Sequence, residues 1–405
     1  MPGGPKAASE RNGAGMKTYE ETDRWEESVL EKVREKMKRV CEKNREKIPY
    51  TTEPDGRYDD RSDASRNWNG DDGLNWWTNG FWSGLLWLLY QDTRKERYLE
   101  TAREAEYKLE KCLMDFYGMH HDLGFMFQLS AAADWDLTGN ERSRRTALHA
   151  ANLLAGRFNP EGNFIRAWND GEQDTRGWAI IDCMMNLSLL YWAEKETKDP
   201  RFGQIARRHA NTAMKAFIRA DGSANHIVEF DPQTGEVVRT YGGQGYKEGS
   251  SWTRGQGWAV YGFTLSYLHT GKQEYLDTAK RAAHYCIAAM PESGIIPVDF
   301  RQPKEPAYED SCGACVIAGG LLELAGQLPK EEQEMYVRAA EKILRTIAEK
   351  RADFGKNCDA IVQNCTASYG SPQTHITMVY ADYFFVEALY KLEAQRTGKE
   401  LHLMW

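Results

Sequence analysis

Leu189-Leu-Tyr-Trp-Ala-Glu-Lys-Glu-Thr-Lys-Asp-Pro-Arg-Phe-Gly-Gln-Ile-Ala-Arg-Arg-His-Ala210 decides the fold. An apolar helix runs into a polar turn, and an aromatic residue then opens a second helix rich in Ala and Arg. The pattern recurs in LLYQDTRKERYLETAREA (88–105) and LSYLHTGKQEYLDTAKRAA (265–283), with a diverged copy in LLELAGQLPKEEQEMYVRAAEK (321–342). Each copy is a helical hairpin with a short turn. A single hairpin cannot bury its own apolar face, so repeated copies must stack on one another.

Working outward from these copies, helical periodicity predicts about twelve helices. They lie near 23–45, 80–92, 97–113, 124–138, 142–157, 178–195, 200–218, 255–270, 274–290, 311–327, 331–350 and 375–396. Six hairpins can close on themselves, which makes the chain an all-α (α/α)6 barrel, a six-hairpin toroid. The inner helices should be the apolar, aromatic ones, including 80–92, 178–195 and 255–270, while the outer ones carry Lys, Arg and Glu. Strand-like alternation is confined to short pieces such as His226-Ile-Val-Glu-Phe230 and Glu236-Val-Val238. No composition break splits the 405 residues. Residues 1–16 read as a disordered leader and 17–405 as one barrel domain.

Charge and cysteine usage exclude several classes. A net charge of −8 with no basic cluster argues against a nucleic-acid partner. No apolar run reaches the length of a membrane span, and the N-terminal residues lack the apolar stretch of a signal peptide. Eight scattered cysteines then read as reduced thiols in the cytoplasm. Cys312-Gly-Ala-Cys315 has the spacing of a metal or redox pair, but it lacks a second ligand pair and sits among Ala, Val, Ile and Gly. It reads as packing, and no metal is expected.

The segments 66–80, 114–124, 159–178 and 240–258 are long and rich in Gly, Trp, Asn and Asp. Each precedes an inner helix, so all four open on one face of the ring, where an active-site cleft is expected. They carry Trp76, Trp77, Trp168, Trp178, Trp252 and Trp258. Flat indole faces beside Asp, Asn, Gln and Arg suit a pyranose ring, which stacks while its hydroxyls are hydrogen-bonded. Two or three of these tryptophans are expected to plug the end of the ring instead.

Asp182 is the only charge in the run from Trp178 to Trp192. A carboxylate in apolar surroundings is paired, protonated or functional, and a raised pKa suits a general acid. The alternative is an Asp that caps a helix or bonds to buried backbone. Asp122 opens the fourth predicted helix, where it too is an N-cap candidate; two carboxylates at one mouth match the paired acids of glycoside chemistry. Arg254, between Trp252 and Trp258, could grip a carboxylate with both arms of its fork. His226, flanked by Asn225 and Glu229, is by default a structurally satisfied histidine.

Six motifs in register then resemble the unsaturated glucuronyl hydrolases of glycoside hydrolase family 88: NWWTNGFWSG (75–84), HDLGF (121–125), IIDCMMN (180–186), NHIVEF (225–230), GQGY (243–246) and WTRGQGW (252–258). The resemblance covers roughly residues 20–396 and implies an (α/α)6 barrel. It implies cleavage of the 4,5-unsaturated uronic acid that polysaccharide lyases leave at the non-reducing end of oligosaccharides, with no cofactor. Asp182 then takes the acid/base role and Asp122 is the second essential aspartate. Trp76 and Trp168 fall where the family stacks sugars. His226, Gly242, Gln244, Trp252, Arg254 and Trp258 fall at the uronate pocket. Ser368 and Ser371 match a sulfate-binding loop, in which Gln373 stands in place of a cation and weakens the case for 6-sulfated substrates. The partner is thus a small anionic oligosaccharide, and the protein a monomer or homodimer.

Two alternatives share the fold. An unsaturated rhamnogalacturonyl hydrolase resembles this chain in Trp-x-Arg-Gly, but continues with Asn where Gln256 stands here. A sugar epimerase needs two catalytic histidines on inner helices, whereas His149, His209 and His284 lie on predicted outer ones.

Overall fold

The computed structural model describes residues 24–66, 73–114, 118–399 except Asp170 and Glu172, and residues 402, 404 and 405. The expected leader lies outside the described residues, as do 67–72 and 115–117 of the first two long loops. The helices are α1 (Trp25–Lys43), α2 (Gly80–Thr93), α3 (Glu96–Leu109), α4 (Leu123–Phe127), α5 (Ala133–Thr138), α6 (Glu141–Ala155), α7 (Cys183–Thr197), α8 (Pro200–Ala216), α9 (Thr253–Thr270), α10 (Gln273–Ala289), α11 (Ser311–Gly326), α12 (Lys330–Lys350) and α13 (Val379–Thr397). A π-helical turn, Gln128–Ala132, joins α4 to α5, so the two count as one interrupted helix and the described residues hold twelve.

Their sequences sort these helices into two rings. In α7, residues 183–193 are all buried, and α2, α9, α11 and α13 are likewise apolar around most of their circumference. A helix that is apolar on every side must be covered on every side. Between them stand helices with one buried stripe, such as Phe202, Ala206, Ala210 and Ala213 of α8. The inner helices touch in a closed circuit, α2 to α4 to α7 to α9 to α11 to α13 and back to α2. Outer and inner helices alternate along the chain from the outer α1 to the inner α13, so the chain is an (α/α)6 barrel in which all six inner helices run the same way and start at the same face.

Aromatic side chains fill the axis. Trp405 lies between Phe81, Phe125, Tyr261 and Phe384, and its indole donates to Glu387 Oε1 at 2.9 Å. Glu387 also accepts the hydroxyls of Tyr261 at 2.9 Å and Tyr383 at 2.8 Å. Lys391, one turn further along α13, lies 2.8 Å from Glu323 and 3.6 Å from Glu387. Burial pushes the Glu387 carboxyl upward, and Lys391 opposes that shift.

Five short strands decorate the loop face: β1 (Phe158–Asn159), β2 (Phe164–Ile165), β3 (Trp178–Ile180), β4 (Ile227–Phe230) and β5 (Val237–Tyr241). β3, β4 and β5 form an antiparallel sheet in which Trp178 faces Glu229 and Ile180 faces Ile227. Residues 178–180 were expected as the first turn of a helix. They pair with β4 instead, because a short apolar run with Ile suits either state and the neighbouring strand takes up its backbone groups. The last helix likewise starts at Val379 rather than 375, since Cys365 and Ile376 pair as an isolated bridge. Among the described residues no helix is long and apolar enough to cross a membrane. Cys312 and Cys315 are buried free thiols on α11.

Candidate active site

Asp122 and Asp182 occupy the N-cap positions of α4 and α7, yet neither side chain makes a capping hydrogen bond. Asn140, Asp199 and Asp310 at comparable positions do cap their helices. A carboxylate at an N-cap normally accepts an orphan N–H, so two that do not are held for another use. Both are buried, at 6% exposure each. The helices behind them touch directly: a Cβ on Gly124 would stand 2.4 Å from Asn186 Cα, so only glycine allows this approach.

Asn186 locks the junction. Its Oδ1 accepts Phe125 N–H at 2.7 Å, while its Nδ2 donates to Asp122 Oδ1 and to the Asp182 carbonyl, both at 3.2 Å. His120 Nδ1 lies 2.9 Å from Asp122 Oδ2, and His121 Nε2 lies 3.4 Å from Oδ1. Burial alone would raise the Asp122 pKa, but His121, His120 and Asn186 outweigh it and hold the carboxyl below the usual range. Burial brings the His121 imidazole down to about 4, so near neutral pH it is uncharged. Substituting Asn186 by Leu is expected to lower kcat about a hundredfold while the protein remains folded, because the Asp122 carboxylate loses a donor, the Asp182 backbone loses its tie to it, and small misplacements are costly. Steady-state kinetics with circular dichroism checks it.

His226 faces Asp182 from the sheet, with Nε2 3.5 Å from Asp182 Oδ2. Neither atom has any hydrogen-bond partner in the protein, and both are shielded from solvent. The backbone N–H of Gln244 donates to His226 Nδ1 at 3.0 Å, so in the neutral ring the proton sits on Nε2 and points at Asp182. Gly243 makes this possible: its φ is +57°, and a Cβ there would fall 2.0 Å from His226 Nδ1. Gly242 shapes the same turn by accepting Gly245 N–H at 3.0 Å.

Arg254 and Trp258 lie one layer below the cleft. Trp258 exposes no surface and packs between Phe125 and Phe384. Arg254, 1% exposed, lies 2.6 Å from Asp310, and its fork also donates to the carbonyls of Thr366 and Ala367 at 3.2 and 2.6 Å. Burial pulls its pKa down, but Asp310 more than compensates and the guanidinium stays charged. Trp252, also buried, packs 4.3 Å from the His226 ring.

Trp76 and Trp168 are half-buried at the cleft. Tyr50 meets Trp76 edge-on at 5.4 Å, and Arg61 lies 5.3 Å from its ring. Trp168 follows Ala167, whose carbonyl accepts His121 N–H at 3.1 Å, and its ring meets that of Trp178 edge-on at 6.1 Å. Trp77 packs against Phe81, Phe125 and Tyr380 and helps to close the ring, as expected of some of the six. Ser368 and Ser371 belong to a turn pinned to the GQGY loop, where Tyr369 N–H donates to the Gln244 carbonyl at 2.8 Å.

Sequence reasoning did not single out Asn186, Asp310, Tyr50 or Arg61. Asn186 lies one helical turn after Asp182, a spacing that could have revealed it. Asp310 is 56 residues from Arg254 and had no local signal. Gln256, expected from the sequence to separate the two uronyl-hydrolase readings, is buried and turned to backbone groups. It accepts Ala224 N–H at 2.7 Å and donates to the carbonyls of Gly222 and Ala282 at 2.8 and 3.2 Å, fixing the chain ahead of His226. His149, His209 and His284 stand on the outer helices α6, α8 and α10, away from the inner-helix positions that an epimerase requires.

A six-hairpin barrel that delivers two carboxylates into a tryptophan-lined mouth has the architecture of a glycoside hydrolase. The family model for Glycosyl Hydrolase Family 88 matches residues 33–393, and the chain belongs to that family. It is 37% identical over 349 residues to the unsaturated glucuronyl hydrolase of Bacillus sp. (strain GL1), spanning 84% of this chain and 92% of that one. It is 30% identical to the unsaturated chondroitin disaccharide hydrolase of Streptococcus pneumoniae, spanning 81% of this chain and 83% of the other. The crystal structure of the Bacillus sp. GL1 unsaturated glucuronyl hydrolase matches with a TM-score of 0.84 at 32% identity, over 91% of this chain and 97% of that chain.

Proposed function

We propose that the protein removes the 4,5-unsaturated glucuronate from the non-reducing end of lyase-generated, glycosaminoglycan-type oligosaccharides by adding water across the C4=C5 bond. The observation that carries this is Asp182: a buried N-cap carboxyl with no capping bond, whose Oδ2 faces the Nε2–H of His226. The activities named for the Bacillus and Streptococcus relatives support the substrate class.

In this reading the Asp182 carboxyl gives its proton to C4, and positive charge develops at C5, shared with the ring oxygen. Water then bonds to C5 as the Asp182 carboxylate takes its proton, which restores the acid. The C5 hemiketal opens to a ketone and leaves a hemiacetal at C1, which collapses and expels the remaining sugar chain. One carboxyl serves as acid and then base, so the separation rule for retaining and inverting pairs does not apply. Asp182 stands between two neighbours: Asn186 ties its backbone to Asp122, and His226 Nε2 faces its Oδ2. Trp76 and Trp168 stack the sugars, and Gln244, Gly242, Ser368 and Ser371 line the pocket. Trp252, Arg254 and Trp258 support it from beneath. Eight unpaired thiols fit work in the cytoplasm.

Unsaturated disaccharides from chondroitin, hyaluronan, heparin and alginate-type polymers, followed by loss of their ultraviolet band, test the reading. The expected result is fast loss with glycosaminoglycan disaccharides and little with the others. Isomer formation with the double bond intact would sink it.

A further inference from the structure

A continuous set of contacts runs from a buried carboxylate to the catalytic centre. Asp310 caps α11 by accepting Cys312 N–H at 3.1 Å, and its other oxygen holds Arg254 Nη1 at 2.6 Å. Arg254 Nη2 donates to the Ala367 carbonyl at 2.6 Å, and Gln244 Nε2 donates to that same carbonyl at 2.7 Å. The backbone N–H of Gln244 in turn fixes His226 Nδ1, and His226 Nε2 faces Asp182. Every member except Ala367 and Gln244 is at least nine-tenths buried, so water cannot easily replace a lost link.

The guanidinium is therefore held by the protein itself at both terminal nitrogens, while its buried Nε has no partner among the described residues. Its two terminal nitrogens serve Asp310, Thr366 and Ala367, and its faces lie against Trp252 at 4.7 Å and Tyr380 at 5.5 Å. Arg254 holds the 366–371 turn against the GQGY loop, and Asp310 holds Arg254.

We propose that Asp310 is a positioning residue for the reaction: through Arg254 and the Ala367 carbonyl it seats Gln244 against His226 and so aims the Nε2–H at Asp182. This rests on the hydration reading above. Without Asp310, Arg254 turns away from Ala367, the Gln244 loop loosens, and His226 loses the donor that fixes its tautomer. A ring free to carry its proton on Nδ1 no longer presents an N–H to Asp182 Oδ2.

The test is a cycle of Asp310→Asn, Gln244→Ala and the double variant, with Asp310→Glu as the conservative control. All are assayed on an unsaturated disaccharide and checked for folding by thermal unfolding. Asp310→Asn is expected to lower kcat about thirtyfold and to move the His226 ring toward the Nδ1–H tautomer. Asp310→Glu should recover part of the rate. In the Gln244→Ala background, Asp310→Asn should cost less than threefold, because the path is already cut. Losses that multiply in the double variant overturn the proposal. Nitrogen NMR of the His226 ring reads the tautomer without turnover. An unchanged tautomer in a folded Asp310→Asn protein also overturns it, whereas a wild-type protein inert to every unsaturated uronide with an altered His226 in the variant would indict the hydration reading alone.

Discussion

Asp182→Asn is expected to lower turnover of an unsaturated glycosaminoglycan disaccharide by at least about 10³-fold while substrate binding persists, since general acid–base groups supply about 10² to 10⁴ and here one group performs both transfers. The amide keeps the shape of the carboxyl and can present its oxygen to His226 Nε2, so the helix start and the sheet beside it stay in place. It has no proton acidic enough to pass to C4 and no basic oxygen to receive one from water. Calorimetric affinity for the disaccharide, alongside kcat from the ultraviolet decay, separates binding from chemistry. Turnover within tenfold of the parent would rule out Asp182 as the proton donor.

The second large effect is on stability. Lys391→Met is expected to destabilise the fold by about 3–5 kcal/mol at neutral pH, the usual consequence of removing one partner from a buried ion pair. It leaves Glu323 and Glu387 facing one another inside the ring, with the Glu387 carboxyl already raised by burial. A carboxyl whose pKa is raised on folding leaves the protein most stable below its unfolded pKa, and stability falls as pH rises toward the folded value. The deficit of the variant should therefore be largest near pH 8 and shrink as pH falls toward the ordinary glutamate range. Chemical unfolding of parent and variant at several pH values checks this. A deficit independent of pH would mean that lost packing, not stranded charge, is the cause.

The alternation of apolar and striped helices was legible because it follows from periodicity in each segment separately. Six hairpins, their order and the face that carries the loops followed from the repeat around Leu189 and its copies. Asp182 stood out because a charge in an apolar run is locally visible, and Asp122 because it opens a predicted helix. What stayed hidden depended on residues far apart in sequence. Arg254 reads locally as a fork for a substrate carboxylate; its real occupant, Asp310, is 56 positions away. Trp258 reads as an exposed platform until Phe125 and Phe384 close on it. The strand at 178–180 needed β4 as a partner before its ambiguous run became a strand.

The common direction of the six inner helices has an electrostatic consequence. Each ends at the cleft in unsatisfied N–H groups worth roughly half a positive charge, reduced where a side chain caps them. In a molecule with a net charge of −8, these backbone ends set positive partial charge at the cleft, where it offsets part of the negative charge of Asp122 and Asp182. An acidic sugar that reaches the cleft meets that backbone charge rather than a row of lysines. The closed ring that buries the apolar faces therefore also sets the charge that an anion meets there.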